Sequence, residues 1–333
     1  VARSARHTIK KSYFKSAMLG FEFKARKCGA VYCTFPPKSS RFEAQAGHSN
    51  AFISLANMSH SRPVFVLAPG RARKNYWRDL WRYRELFYFL AWRDILVRYK
   101  QTAIGMAWAL IRPFLTMIVF TVVFGHIAKL PSNGVPYPIL VFSAMLPWQF
   151  FANALSECSN SLIGNGHLIS KVYFPRLIVP TSAVIVSFVD FLISGLILLG
   201  LMAWYHYLPT WRVLLLPCFT LLAFAAAMGA GLFLSALNVR YRDFRYIVPF
   251  IVQFGLYLSP VGFSSSVVPA EWRLLYSLNP MVSVIDGFRW ALLGDSSPLY
   301  LPGFALSTLL VIGLLVLGIR YFRAYERTFA DVI

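Results

Sequence analysis

Between residues 106 and 319 the sequence alternates apolar blocks with polar connections, and most blocks approach 20 residues. A helix needs about that length to cross a hydrocarbon layer of about 30 Å. In lipid every backbone amide must find its partner inside the protein, so apolar blocks of this length are read as membrane helices. The blocks run over residues 106–127, 139–162, 177–203, 213–237, 246–261 and 301–319. The fifth is shorter and contains Pro249, Gln253 and Gly255. Only 14% of the chain is charged and mean hydropathy is +0.56, whereas a soluble domain carries about 25% charged residues. The expected fold class is an all-α polytopic membrane protein with six transmembrane helices.

The net charge of +20 is not spread evenly. Residues 1–104 hold 20 of the 33 Lys and Arg against 5 of the 13 Asp and Glu, a basic skirt ahead of the first block. That distribution fits a membrane face beside anionic lipid better than nucleic-acid binding. Alternate connections carry Lys171 with Arg176, then Arg240, Arg242 and Arg245, then Arg320, Arg323 and Arg327; the others carry Lys129 and Arg212. The positive-inside rule therefore places both termini in the cytoplasm.

Residues 1–57 show no sustained apolar period, and the expectation is a disordered or non-native extension. Residues 58–105 read as a cytoplasmic amino-terminal region and 106–333 as the membrane domain. Within the former, residues 78–99, RDLWRYRELFYFLAWRDILVRY, are too charged to span. Arg78, Arg82, Glu85 and Arg93 share one face, opposite Leu80, Tyr83, Phe87, Leu90 and Ala91, although Asp94 and Arg98 interrupt the second face. A helix lying in the interface fits this pattern, and so does a cytoplasmic helix packed on a partner.

The connection over residues 262–300 is too apolar for a hydrated loop, yet Glu271, Arg273, Asn279, Pro280, Asp286 and Arg289 interrupt it. Short helices that dip back toward the membrane suit it better than a seventh span, which would put the basic tail outside. Glu157, Asp190 and Gln253 lie at membrane depth. No cation stands in a matching position of an opposite span for Asp190, so a polar contact at a helix or subunit boundary is preferred to a proton relay. The run AFAAAMGAG, residues 223–231, reads as a seam of close helix approach.

No enzyme centre is visible. The six histidines are dispersed, the four cysteines form neither a disulfide framework nor a metal cluster, and GxxxxGK[ST] is absent. No metal or cofactor is expected on this chain; if transport consumes ATP, ATP and Mg belong to a separate subunit. An ion-coupled carrier would show an inverted repeat with broken paired helices and a buried ion constellation, and neither is found.

Four stretches in order are RDILVRYKQTAIGMAWALIRP (93–113), LISKVYFPRLIVP (168–180), LNVRYRDFRYIVP (237–249), and LYLSPVGF followed by LNPMVSVIDGFRWALLG. Together they resemble the membrane subunits of two-component, ABC-2 type ABC exporters for bacterial surface polysaccharides: O-antigen, capsule and teichoic acid. The resemblance covers residues 78–325. It implies an inner-membrane homodimer of six-span subunits bound to two ATPase subunits, moving an undecaprenyl-linked polysaccharide, with O-antigen the first choice. Teichoic acid or capsule, or more distantly a drug or small lipid, are the alternative cargoes.

The resemblance also implies roles. Arg93, Arg98 and Lys100 match the basic run of an interface helix. Lys171, Val172, Tyr173, Phe174, Pro175 and Arg176 match a coupling surface for the ATPase, in which cations meet acidic groups and aromatic anchors fill a pocket. Headgroup binding would account for the cations alone. Residues 262–294 match gate helices, where Asn279, Asp286 and Arg289 would hold the arrangement, and Trp272, Tyr276, Phe288 and Trp290 would meet glycan or pack.

Overall fold

Every regular element among the described residues is helical. The computed structural model describes residues 76–100, 105–132, 134–294, 297–326 and 328–329, all within one unit spanning Leu67–Ile333. The expected extension 1–57 and residues 58–75 lie outside the described residues.

Helices α1 (Tyr76–Arg82) and α2 (Arg84–Lys100) replace the single helix expected over 78–99. The join at Tyr83 is nevertheless bridged: Tyr83 N–H donates to Asp79 O and Phe87 N–H to Tyr83 O. Helix α3 (Gly105–Phe120) carries Pro113 inside it and continues as a π-helix over Thr121–Ile127. Helices α4 (Tyr137–Gly164) and α6 (Ile178–Trp204) enclose the short α5 (Gly166–Lys171). After a 3-10 turn at Trp211–Leu215 come α7 (Leu216–Arg240) and α8 (Phe244–Leu258). Then follow α9 (Ala270–Tyr276), α10 (Pro280–Leu293) and α11 (Leu301–Tyr325).

Five helical segments among the described residues are long and apolar enough to cross a membrane: Leu110–Ile127, Tyr137–Gly164, Ile178–Trp204, Trp211–Arg240 and Leu301–Tyr325. The fifth apolar block, expected over 246–261, forms the shorter α8 instead. Its helix stops because Ser259 turns to extended backbone, φ −96° and ψ 151°. Two bond sets fix where α8 runs. Asn238, at the end of α7, donates from Nδ2 to Ser159 O near the end of α4. Beyond α8, Gly262 O accepts from the Tyr137 hydroxyl at the start of α4, 2.6 Å away. The segment over residues 238–262, which contains α8, thus runs from near the end of α4 back to its start.

Helix α4 is the hub: 83% of its apolar window is buried, against 17–33% in the other four. Helices α6, α7, α8 and α10 pack around it. The small-residue run in α7 is the seam against α11. A Cβ on Gly229 would lie 2.7 Å from Leu315 N, and one on Gly318 would strike the Gly229 carbonyl oxygen. Backbone contact this close is open only to glycine.

Candidate functional site

Helix α4 ends at Gly164, and the chain turns at Asn165, whose side chain is held from two sides. Arg93 Nη2 donates to Asn165 Oδ1 at 2.8 Å, while Asn165 Nδ2 donates to Ser161 O at 3.0 Å. Ile169 of α5 is buried, so the short helix is anchored on one face. Past it, Val172 is extended, and Lys171, Val172 and Tyr173 project, Tyr173 with 67% of its surface exposed. Phe174 and Pro175 then return to the interior and set the base of the projection.

Arg176 points elsewhere. Its backbone N–H donates to Glu326 Oε1 at 2.8 Å, and its Nη1 donates to the Glu326 carbonyl oxygen. The Tyr76 hydroxyl donates to the same Oε1 at 3.2 Å, and the Arg323 guanidinium lies 4.5 Å from the centroid of the Tyr76 ring. Burial raises the Glu326 carboxyl above its ordinary range, opposed by the Arg176 and Tyr76 hydrogen bonds and by the charges of Arg176 and Arg323. Burial, with Glu326 beside it, likewise raises the Tyr76 phenol, which stays a neutral donor. The six predicted coupling residues therefore divide into an exposed Lys-Val-Tyr tip, a buried Phe-Pro base and an arginine bound to the last helix.

Of the predicted interface-helix cations, Arg93 contacts Asp94 at 2.7 Å as well as Asn165. Arg98 Nη2 is 3.0 Å from Asp190 Oδ2, and Nη1 is 3.5 Å from Glu157 Oε1; the Tyr99 hydroxyl donates to the other Asp190 oxygen. Lys100 is exposed. The partner of Asp190 that no opposite span supplies thus comes from the helix ahead of the first span.

At the opposite end of α4, residues 262–294 are built around Arg289, which is 1% exposed. Its guanidinium donates to Leu140 O at 3.3 and 3.2 Å, to Val261 O at 3.1 Å and to Phe263 O at 2.7 Å. Asn279 caps α10 by accepting from Met281 N–H, and donates to Ser259 Oγ. Phe288 is enclosed between Phe191 and Phe219, and Trp290 stacks under Arg212. Trp272 is exposed. Tyr276 and Asp286 line a cavity of about 50 Å³ together with Ser265 and Ser283. Asn279 and Arg289 make structural bonds, Phe288 packs, and Trp272 faces outward.

The ABC-2 type transporter family model matches residues 85–293, which takes in α2 through α10. The chain belongs to the ABC-2 type transporter family. Members of this class are transmembrane subunits without a nucleotide-binding domain, so this permease is a transporter subunit and not an enzyme. It is 29% identical over 258 residues to the O-antigen export system permease protein RfbA of Myxococcus xanthus, covering 77% of this chain and 98% of that one. An RfbA of Klebsiella pneumoniae is 24% identical over 72% of this chain and 92% of its own length. The polysialic acid transport protein KpsM of Escherichia coli is 22% identical over 70% and 91%. In general class this permease is an export permease of the polysaccharide and lipid-linked type.

Sequence reasoning missed Glu326, Tyr76 and Asn165. Glu326 carried a faint signal, as an acid standing among the cations of the tail.

Proposed function

We propose that this permease is the membrane subunit of an ATP-driven exporter that carries undecaprenyl-linked O-antigen polysaccharide across the bacterial inner membrane. Two copies work with two ATPase subunits that bind ATP and Mg. The observation that carries the cargo assignment is similarity over 98% of the length of an O-antigen export permease, a match that leaves almost no part of that protein uncovered. Residues 106–333 form the transport domain. The path of residues 238–262 from near one end of α4 to the other supports a sixth crossing, which returns both termini to the cytoplasm as the cation placement requires.

In this reading Lys171, Val172 and Tyr173 are the surface the ATPase grips. A cation and an aromatic side chain on a projection with a buried base match the chemistry of an interface anchor. Helices α9 and α10 are the periplasmic gate, pinned by Arg289 and capped by Asn279, with Trp272, Tyr276 and Trp290 nearest the glycan. No bond is made or broken in this subunit; ATP binding and hydrolysis elsewhere reorganise the dimer.

The test is reconstitution of the permease with its ATPase subunit in vesicles holding defined undecaprenyl-linked glycans. ATP-dependent movement of O-antigen is expected. Movement of capsular or teichoic-acid polymers in its place would reassign the cargo within the class. Efficient transport of drugs or small lipids, with polysaccharide left behind, would overturn the reading.

A further inference from the structure

Three elements distant in the sequence meet at one carboxylate. Glu326, at the end of α11, takes the Arg176 backbone N–H and the Tyr76 hydroxyl on the same oxygen, while its own carbonyl accepts from the Arg176 guanidinium. Residues 176 and 326 are 150 positions apart. The chain just past α11 is tied back onto that helix. Thr328 N–H donates to Tyr325 O, and Phe329, 2% exposed, folds back edge-on against Phe322 at 5.3 Å. On the other side, Val179 N–H donates to Arg176 O, which ties Arg176 into the first turn of α6.

We propose that Glu326 is a positioning residue for coupling, clasping the end of α11 to the loop so that displacement of Tyr173 moves α6 and α11 together. This rests on the reading of the Lys171–Val172–Tyr173 tip as the ATPase contact. The geometry makes the clasp bidirectional: the loop's amide is bound by the helix's side chain, and the helix's carbonyl by the loop's side chain. A contact of this kind resists sliding as well as separation, since no displacement along either axis preserves both bonds. Helix α11 in turn contacts α7 through backbone at Gly229 and Gly318, so a push on α11 reaches α7 without a soft side chain between them.

The test separates binding of the ATPase subunit from use of its energy, with the full permease and its ATPase subunit reconstituted together. In Glu326→Ala the ATPase subunit is expected to copurify normally and hydrolyse ATP, while glycan moved per ATP falls about tenfold, the scale of losing a hydrogen bond to a charged group. Glu326→Gln keeps an oxygen for the Arg176 amide and is expected to recover most of that ratio. In Arg176→Cys/Glu326→Cys the ratio is expected to be low, and to be restored by a bifunctional thiol cross-linker. A wild-type ratio in Glu326→Ala, or a cross-linked double variant that remains uncoupled, overturns the clasp. Failure of the coupling-tip reading looks different: Tyr173→Ala would then leave copurification and stimulated hydrolysis at wild-type values.

Discussion

Arg98 and Asp190 form an ion pair with 3.0 Å between Nη2 and Oδ2, joining the helix ahead of the first span to the interior of α6. The carboxylate is nearly enclosed, with 10% of its side chain exposed, while Arg98 is 37% exposed. Removing one partner strands the other, and the loss falls hardest when the enclosed charge is the one left behind. Arg98→Met is therefore expected to destabilise more than the double variant Arg98→Met/Asp190→Leu. A double-mutant cycle on melting temperature in detergent should report coupling of about 1–3 kcal/mol. Glu157, 3.5 Å from the same guanidinium, softens the effect of Asp190→Leu alone.

The glycine contact between α7 and α11 makes a second expectation. Gly318→Ala puts a methyl group into the Gly229 carbonyl, and Gly229→Ala puts one 2.7 Å from Leu315 N. Neither obstacle is a side chain that can swing away, so the helices must part. Each substitution should cost more than about 2 kcal/mol, toward the upper end of what overpacking does. Gly313→Ala, on the same helix with open space beside it, should be neutral. Melting temperatures of the three variants check this.

What the sequence could and could not announce follows from range. Apolar length alone located α4 and α6 to within a residue or two of 139–162 and 177–203, because a membrane helix declares itself through its own residues. The end of α8 was not legible. Its backbone leaves the helix at Ser259, and the carbonyls freed at Val261 and Phe263 are taken by Arg289, an acceptor-hungry side chain 28 and 26 residues away. The candidate site divides the same way. The cations marked residues 171–176 as an inside loop and the family resemblance singled it out, but its exposed tip, buried base and internally bound arginine depend on Glu326 and on where the interior lies.

That division separates neighbouring residues by experiment. Tyr173 is exposed and touches no core, so Tyr173→Ala should leave the melting temperature unchanged while lowering recovery of the ATPase subunit about tenfold or more, as for an aromatic interface anchor. Phe174, 4% exposed, should behave in the opposite order: Phe174→Ala costs about 3–5 kcal/mol, and lost association follows from a loosened loop. Copurification and melting of both variants, measured side by side, decide the matter.

Glu326 gives a pH signature whose sign is set by burial. Its folded pKa is raised, so the folded chain binds the proton more readily than the unfolded one. Its contribution to stability is then greatest on the acid side of the ordinary glutamate range and falls as pH rises through the folded value. Glu326→Gln does not titrate. The stability of the wild type relative to that variant should decline as pH rises from about 4 to 7. A rise over that interval would show that the charges of Arg176 and Arg323 outweigh the loss of water.

Arg289 closes the structure at the far end of α4, and its planar fork is the reason one side chain can serve three carbonyls. Arg289→Lys retains the charge but gathers its three donors on one nitrogen, which cannot span the carbonyls of Leu140, Val261 and Phe263 as the two Nη atoms of the guanidinium do. The substitution should cost about 2–4 kcal/mol, with orphaned buried acceptors as the cause. Arg289→Met, which also leaves Asp286 without its compensating charge, should cost at least as much. Because the three carbonyls belong to the start of α4 and the segment after α8, the damage should be local first. Faster protease cleavage within residues 262–300 is expected in both variants, while cleavage near Tyr173 stays at the wild-type rate.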